Sequence, residues 1–326
     1  MIWHCPKCKS SLDNRTTELI CLQCDSCYPM VNQIPDLRVF GESWLNLDDD
    51  LRFAMDLATR DLPLHELVRA IYSNRPGWDE DRIEMRTNLV LAAPMKLEDD
   101  IQGWLKKTIF SANSFLDLGC GSGMLLAAAQ RAGKSGIGID VSMTWLVAAQ
   151  RQIRDYGGEP CLAAAFAEWL PLADGTIGAV VSLDVIEHVK DPERYVGEIN
   201  RVVFKGGAVA LSTPNRFSLT REPHVFVWGV GWLPQRWQQN YVRWRSGKSY
   251  DDTVLMSSWR LSALVRRASE FVFRIQIPEV PASHISKFGR GKAFVARLYN
   301  LIRSFEMLRP MFLAVGPFFQ LTGRKE

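Results

Sequence analysis

Short apolar runs alternate with segments of helical period along most of this 326-residue chain. Residues 115–118, 136–140, 160–165, 180–183 and 208–212 are apolar runs bounded by glycine, proline or polar turns, and they read as five strands. Between them, residues 124–132, 144–156 and 192–203 carry apolar positions at helical spacing, with Ser142 placed to cap the second of these helices. Strand and helix in strict alternation predict a parallel sheet with helices on both faces. Four helices are predicted before the first strand, over residues 45–61, 62–72, 79–91 and 96–109. After the fifth strand an insertion of residues 214–256 precedes a helix at 257–269 and a sixth strand at 271–277. Phe294, Val295, Leu298, Leu301, Ile302, Phe305 and Leu308 mark one face of a further helix that also carries Lys292, Arg297, Arg303 and Arg309. Packing of that face against the domain is the preferred reading, and contact with an anionic membrane is the other. Residues 311–321 are expected to supply the closing strand, with 318–321 near the edge of the sheet.

The first strand ends in Asp117-Leu118-Gly119-Cys120-Gly121-Ser122-Gly123. Three glycines at alternate positions let backbone approach a ligand where a Cβ would clash. Met124 stands where the dinucleotide spacing needs glycine, which disfavours a nicotinamide oxidoreductase. The second strand ends in Asp140, 21 residues after Gly119, where a carboxylate can accept from both hydroxyls of a ribose. Together these residues resemble the first motifs of class I S-adenosylmethionine (SAM) methyltransferases, of the ubiquinone-pathway-like kind. The resemblance covers residues 100–215 well. It implies a Rossmann-like sheet of seven mostly parallel strands, the last antiparallel, with a helical lid inserted near its C-terminal end. It also places the cofactor against Asp117, Gly119, Cys120, Gly121 and Gly123, then Asp140 and Val141, then Ala167 and Glu168, and then Leu183. At position 166 the family usually has an adenine-binding Asp, and here it is Phe166, so Glu168 or backbone must serve. The helices of 41–113 would lid the cofactor, with Tyr72, Arg75 and Trp78 either reaching the site or packing on the surface.

Asp184, Glu187 and His188 follow the fourth strand at i, i+3 and i+4, and His224 lies in the insertion. Methyl transfer to a hydroxyl needs a route for the lost proton, so these four are the candidate catalytic residues. They could also hold a second, divalent ion. The pattern is similar to metal-assisted O-methyltransferases of the ubiquinone pathway and of small-RNA ends. A metal-free pocket, with His188 or His224 as base, is preferred. The insertion adds Trp228, Trp232, Trp237 and Trp244 among arginines, which suits sugars, phosphates, prenyl diphosphates or unstacked bases, and equally a packed helical cap with its arginine stems lying along the surface.

Of seven cysteines, Cys5 and Cys8 form one C-x-x-C and Cys21 and Cys24 another, twelve residues apart. Two such knuckles complete a tetrahedral structural zinc site, with Cys27 expected as a free buried thiol and His4 as a less favoured ligand. The unit 1–40 resembles Trm112-like zinc ribbons, and its preferred role is structural, ahead of substrate or RNA recognition.

Hydrophobic content of 47% and charged content of 23% suit a globular chain with a sizeable core. A net charge of +3 argues weakly for nucleic acid, so RNA is the second choice of acceptor after a small molecule. A non-catalytic binding protein built on the same fold is a third. No apolar run approaches a membrane span and the first residues are no secretory signal, so a cytoplasmic location is expected.

Overall fold

The computed structural model describes residues 2–39, 41 and 45–326. Strands β1 (Asp13–Asn14), β2 (Glu18–Ile20), β3 (Cys27–Val31) and β4 (Ile34–Pro35) pair antiparallel, each with the next, to make the N-terminal sheet. Helices α1 (Leu47–Thr59), α2 (Leu64–Ser73), α3 (Glu80–Gln102) and α4 (Lys106–Ile109) follow. Where two helices were expected over 79–109, α3 continues unbroken for 23 residues with Pro94 inside it, buried. Proline removes one amide donor and strains one turn, and burial of its ring offsets part of that.

The alternating part comprises β5 (Ser114–Leu118), α5 (Met124–Arg131), β6 (Ser135–Asp140), α6 (Met143–Asp155), β7 (Cys161–Ala164), β8 (Ile177–Leu183), α7 (Pro192–Val202) and β9 (Val203–Pro214). Helices α8 (Gln235–Ser246) and α9 (Ser258–Ala268) then lead to β10 (Phe271–Gln276). The chain ends with α10 (Ala282–Ile285), α11 (Arg290–Arg303), α12 (Arg309–Val315) and β11 (Phe318–Lys325). One seven-stranded, mostly parallel sheet has the order β10-β11-β9-β8-β5-β6-β7. The pairs β5–β6, β5–β8 and β6–β7 are parallel. The closing strand is shorter at its start than expected, because residues 311–315 are the end of α12. It also sits inside the sheet, with Phe319 and Leu321 buried, and β10 takes the edge.

The chain divides into two compact units, residues up to 182 with 197–208 and Lys325, and residues 183–196 with 209–324 and Glu326. In the first, four of the five residues of β5 are buried, and Ser182 donates its hydroxyl to Leu118 O. Gly123 has φ +76°, and a Cβ there would lie 3.0 Å from Ala149 Cβ, so α5 and α6 pack closely only because it is glycine.

The N-terminal sheet is joined to this unit by backbone and by buried charge. Leu37 N donates to Ala164 O, and Asp36 bridges to Ala164 in parallel, so the segment after β4 runs beside edge strand β7. Asn32 and Gln150 exchange two hydrogen bonds. Arg38, with its side chain almost wholly buried, pairs with both Asp36 and Asp50 and donates to Val141 O. Asp50 in turn accepts from Met143 N and from the Ser142 hydroxyl, which satisfies the N-terminus of α6. Asp50→Ala is expected to cost about 3 kcal/mol, the low end for breaking a buried pair, because Asp36 still faces Arg38. Urea denaturation checks it, and a loss below about 1 kcal/mol, the worth of one ordinary hydrogen bond, would deny the network its role.

In the second unit, Val225, Val227, Val230, Val242 and Tyr250 form a small core of their own, so the insertion folds as a unit around α8. Asn215 ties its start to the end of α12 by donating to Ala314 O and Gly316 O. Helix α11 packs through Ala293 and Ala296 against Ile285, while Phe294, Val295, Leu298 and Leu301 face solvent. The preferred expectation that its large apolar residues pack inward is thus reversed. Small residues make the close contact and the large ones are left outside.

Candidate functional site

The turn after β5 holds its three glycines in the left-handed region, with φ +80° at Gly119, +51° at Gly121 and +76° at Gly123. A side chain there would be strained whatever the space. A Cβ on Gly121 would meet nothing within 4 Å, so this backbone borders open space of the kind a ligand occupies. Asp140 at the end of β6 closes the turn from the other side. One oxygen accepts from Gly121 N at 2.8 Å and the other from Ser142 N at 2.9 Å. Burial raises its carboxyl while these amides pull it down. Asp117 lies beneath the turn with one oxygen buried and lacking a partner, and burial, then the Asp140 charge, push it up to about 8. Cys120 is buried as well, and its thiol is pushed far up. Val141 presents its carbonyl to Arg38. Ala167 and Glu168 form a turn after β7, with Glu168 and Phe166 both buried. Tyr72, Arg75 and Trp78 pack on one another, and Tyr72, which is buried, also meets the ring of Trp145 edge-on.

Leu183 is the last residue of β8, and Asp184 after it has φ +56°, a conformation that carbonyl-like Asp side chains tolerate better than most. Asp184 does not join the cluster expected of it. Its backbone amide and carboxylate both turn to Ser212, at 3.0 and 2.8 Å. Glu187, His188 and His224 do come together, with one ligand atom from each lying within 4.8 Å of the others. His188 Nδ1 donates to Asp252 O at 3.1 Å, and His224 Nδ1 donates to the Glu222 carboxylate. The two remaining nitrogens, both Nε2, face each other at 3.1 Å. Glu187 is fully buried, accepts from the Thr213 hydroxyl with one oxygen, and holds the other 3.8 Å from His224 Nε2 with no hydrogen-bond partner. Burial, then the Asp184 charge, raise the Glu187 carboxyl to about 8. Burial lowers His188, and it would lower His224 too, but Glu222 beside it reverses the sign.

Glu222 was not anticipated. It also accepts from the amides of His224 and Val225, which fixes the imidazole from two directions. Its one signal in the sequence is its place two residues before His224. In the insertion, Phe217 stacks on Trp259 of α9, Trp232 meets Phe217 edge-on, and Arg216, Arg236 and Arg245 lie over neighbouring rings. Trp228, Trp237 and Trp244 remain exposed.

At the N-terminus the four Sγ atoms of Cys5, Cys8, Cys21 and Cys24 also lie within 4.8 Å of one another, with separations of 3.3, 3.6 and 3.7 Å for three of the pairs. Sulfurs about 2.3 Å from one zinc ion would stand roughly 3.8 Å apart, so this donor set fits one. The Tyr28 hydroxyl reaches Cys5 Sγ at 3.1 Å from outside the cluster. Cys27 opens β3 on the surface, not buried as expected, and His4 lies outside the group.

Residues 116–211 match the family described as "Methyltransferase domain". The ubiquinone biosynthesis O-methyltransferase of Methylococcus capsulatus is 31% identical over 163 residues, 49% of this chain and 65% of that protein. That of Parvibaculum lavamentivorans is 30% identical over 126 residues, 37% and 49% of the two chains. The chain therefore spans about half to two thirds of these curated relatives. Among solved structures, a SAM-dependent methyltransferase from Mesorhizobium loti superposes with a TM-score of 0.48 and 15% identity, over 69% of this chain and 97% of that one. The glycine turn closed by Asp140 lies within the matched segment, so residues 116–211 carry a methyltransferase domain.

Proposed function

We propose that this protein transfers a methyl group from SAM to a hydroxyl oxygen of a small sugar-, lipid- or quinone-like acceptor, with a divalent ion held by Glu187, His188 and His224. One observation carries the reading, the two Nε2 atoms 3.1 Å apart with both Nδ1 atoms already donating. In neutral rings two lone pairs then point at each other, so a cation belongs between them, either a proton or a metal. Nitrogens bound at about 2.1 Å to one ion stand roughly 3.0–3.4 Å apart, and the orphaned oxygen of Glu187 supplies an anionic third ligand. The carbonyl of Asp252 and the carboxylate of Glu222 orient the rings in the way that outer partners of metal-bound histidines do. When bound, such an ion lowers the pKa of an acceptor hydroxyl and so removes the need for a strong base.

The rest is positioning. The β5 turn follows the carboxyl end of a parallel strand, which is where open sheets of this type take their ligands. The glycine turn cradles the methionine end of SAM, and Asp140 binds its ribose while bracing the turn. In-line approach of oxygen to the methyl then supplies most of the acceleration. Zinc at the four N-terminal cysteines folds the ribbon.

Calorimetry with SAM tests the cofactor assignment. Asp140→Ala is expected to weaken binding at least tenfold, the worth of one charge-assisted hydrogen bond at about 1.5–3 kcal/mol. Unchanged affinity would remove Asp140 from the site. Transfer of labelled methyl to a panel of phenols, sugars and prenylated hydroxyquinones identifies the acceptor class. The ion is tested by elemental analysis, where a second metal beyond the ribbon's should disappear in His188→Ala.

A further inference from the structure

Helix α11 and the turn after it expose side chains that helices of folded domains normally hide. Phe294 is 67% exposed, Val295 63%, Leu301 59%, and Met307 in the following turn 93%. Phe294, Leu298 and Leu301 recur at helical spacing on α11, so they form one continuous ridge. Beside the ridge lies an open groove of about 740 Å³ whose surface is almost all carbon, bounded by Val295, Tyr299, Phe312 and Val315. The border is mostly basic. Lys287, Arg290, Lys292 and Arg297 stand exposed, Glu279 at the groove is paired with Arg303, and the single acid between residues 286 and 311, Glu306, is within 3.9 Å of Arg309.

We propose that this face docks on an anionic lipid bilayer, with the ridge entering the boundary between headgroups and acyl chains and the cations resting on lipid phosphates. An apolar stripe edged by lysine and arginine is the composition that partitions to such a surface. Charge decides between occupants. A second copy of the chain would bring the same cations face to face, whereas an anionic bilayer neutralises all of them at once. Protruding chains also suit a fluid surface, because a folded partner would need a groove matched to each. Among the described residues no helix is long and apolar enough to cross a membrane, so the contact is peripheral.

The test uses the full chain, without methyl donor, sedimented with vesicles of phosphatidylcholine alone or of equimolar phosphatidylcholine and phosphatidylglycerol. Binding is expected to the mixed vesicles and to weaken as salt rises. Arg290→Gln, Lys292→Gln and Arg297→Gln together should reduce partitioning about a hundredfold, at roughly fivefold per cation. Phe294→Ser with Leu298→Ser should abolish it. These positions are exposed, and unchanged thermal unfolding will show that the fold is kept. Should a variant fail to fold, the salt series and the comparison of the two vesicles on the unaltered chain still decide. Failure of the unaltered chain to sediment with the mixed vesicles, or equal binding to both kinds, overturns the proposal. So does a concentration-dependent dimer that the Phe294→Ser, Leu298→Ser pair disrupts without any vesicle effect.

Discussion

Chelating the zinc proposed at the N-terminal cysteines, or replacing Cys21 with serine, is expected to unfold the ribbon and produce the largest loss of stability in the molecule. Its strands are two to five residues long, and its buried apolar side chains are few, chiefly Leu12, Leu19, Tyr28, Val31 and Ile34. A core that small does not offset the ordering of some forty residues. Structural zinc in comparable folds contributes about 10–16 kcal/mol of apparent binding free energy, and zinc at the proposed site would supply that here. The damage should spread, because the ribbon supplies Asn32 to Gln150, Leu37 to Ala164 and Arg38 to Asp50. Asp50 holds the start of α6 directly after Asp140, so affinity for SAM should fall as well. Limited proteolysis, zinc release and calorimetry on one sample check the sequence of events. A metal-free chain with a protease-resistant ribbon and full SAM affinity would refute it.

The second large effect concerns Glu187. Glu187→Gln keeps the side chain's size and its contact with Thr213 but removes the charge, and methyl transfer should fall a hundredfold to ten-thousandfold. SAM affinity should stay close to that of the unaltered chain, and the second metal should be lost. Glu222→Gln acts only through His224, so a smaller loss of ten- to hundredfold is expected. If Glu187→Gln turns over normally, the buried carboxylate is structural and the proposed ion has no anionic ligand.

The central strands were legible because a strand covered on both faces reads as an unbroken apolar run, as 115–118 and 180–183 do. The glycine turn and Asp140 were legible for a different reason, since backbone conformation restricts which residues can stand there. Tertiary context hid the rest. Pro94 is a helix breaker by local rule, but packing carries α3 past it. The helical pattern over 294–308 carries no sign of which side faces the protein, and Ala293 and Ala296 decided that. At the candidate site, spacing placed Asp184 with Glu187 and His188, yet a left-handed residue at the strand's end turned Asp184 toward Ser212. Glu222 and Asp50 act through distant loops and helices, and no local pattern reports such partners.

The bridge between Asp36 and Ala164 has a consequence for solubility. Strand β7 ends the order of the large sheet, and a bare final strand offers unpaired amides and carbonyls to any passing chain. The segment after β4 occupies part of that border, which makes it a guard against sheet-to-sheet aggregation. Loss of the zinc proposed beside it would then threaten the protein through self-association as much as through lost activity.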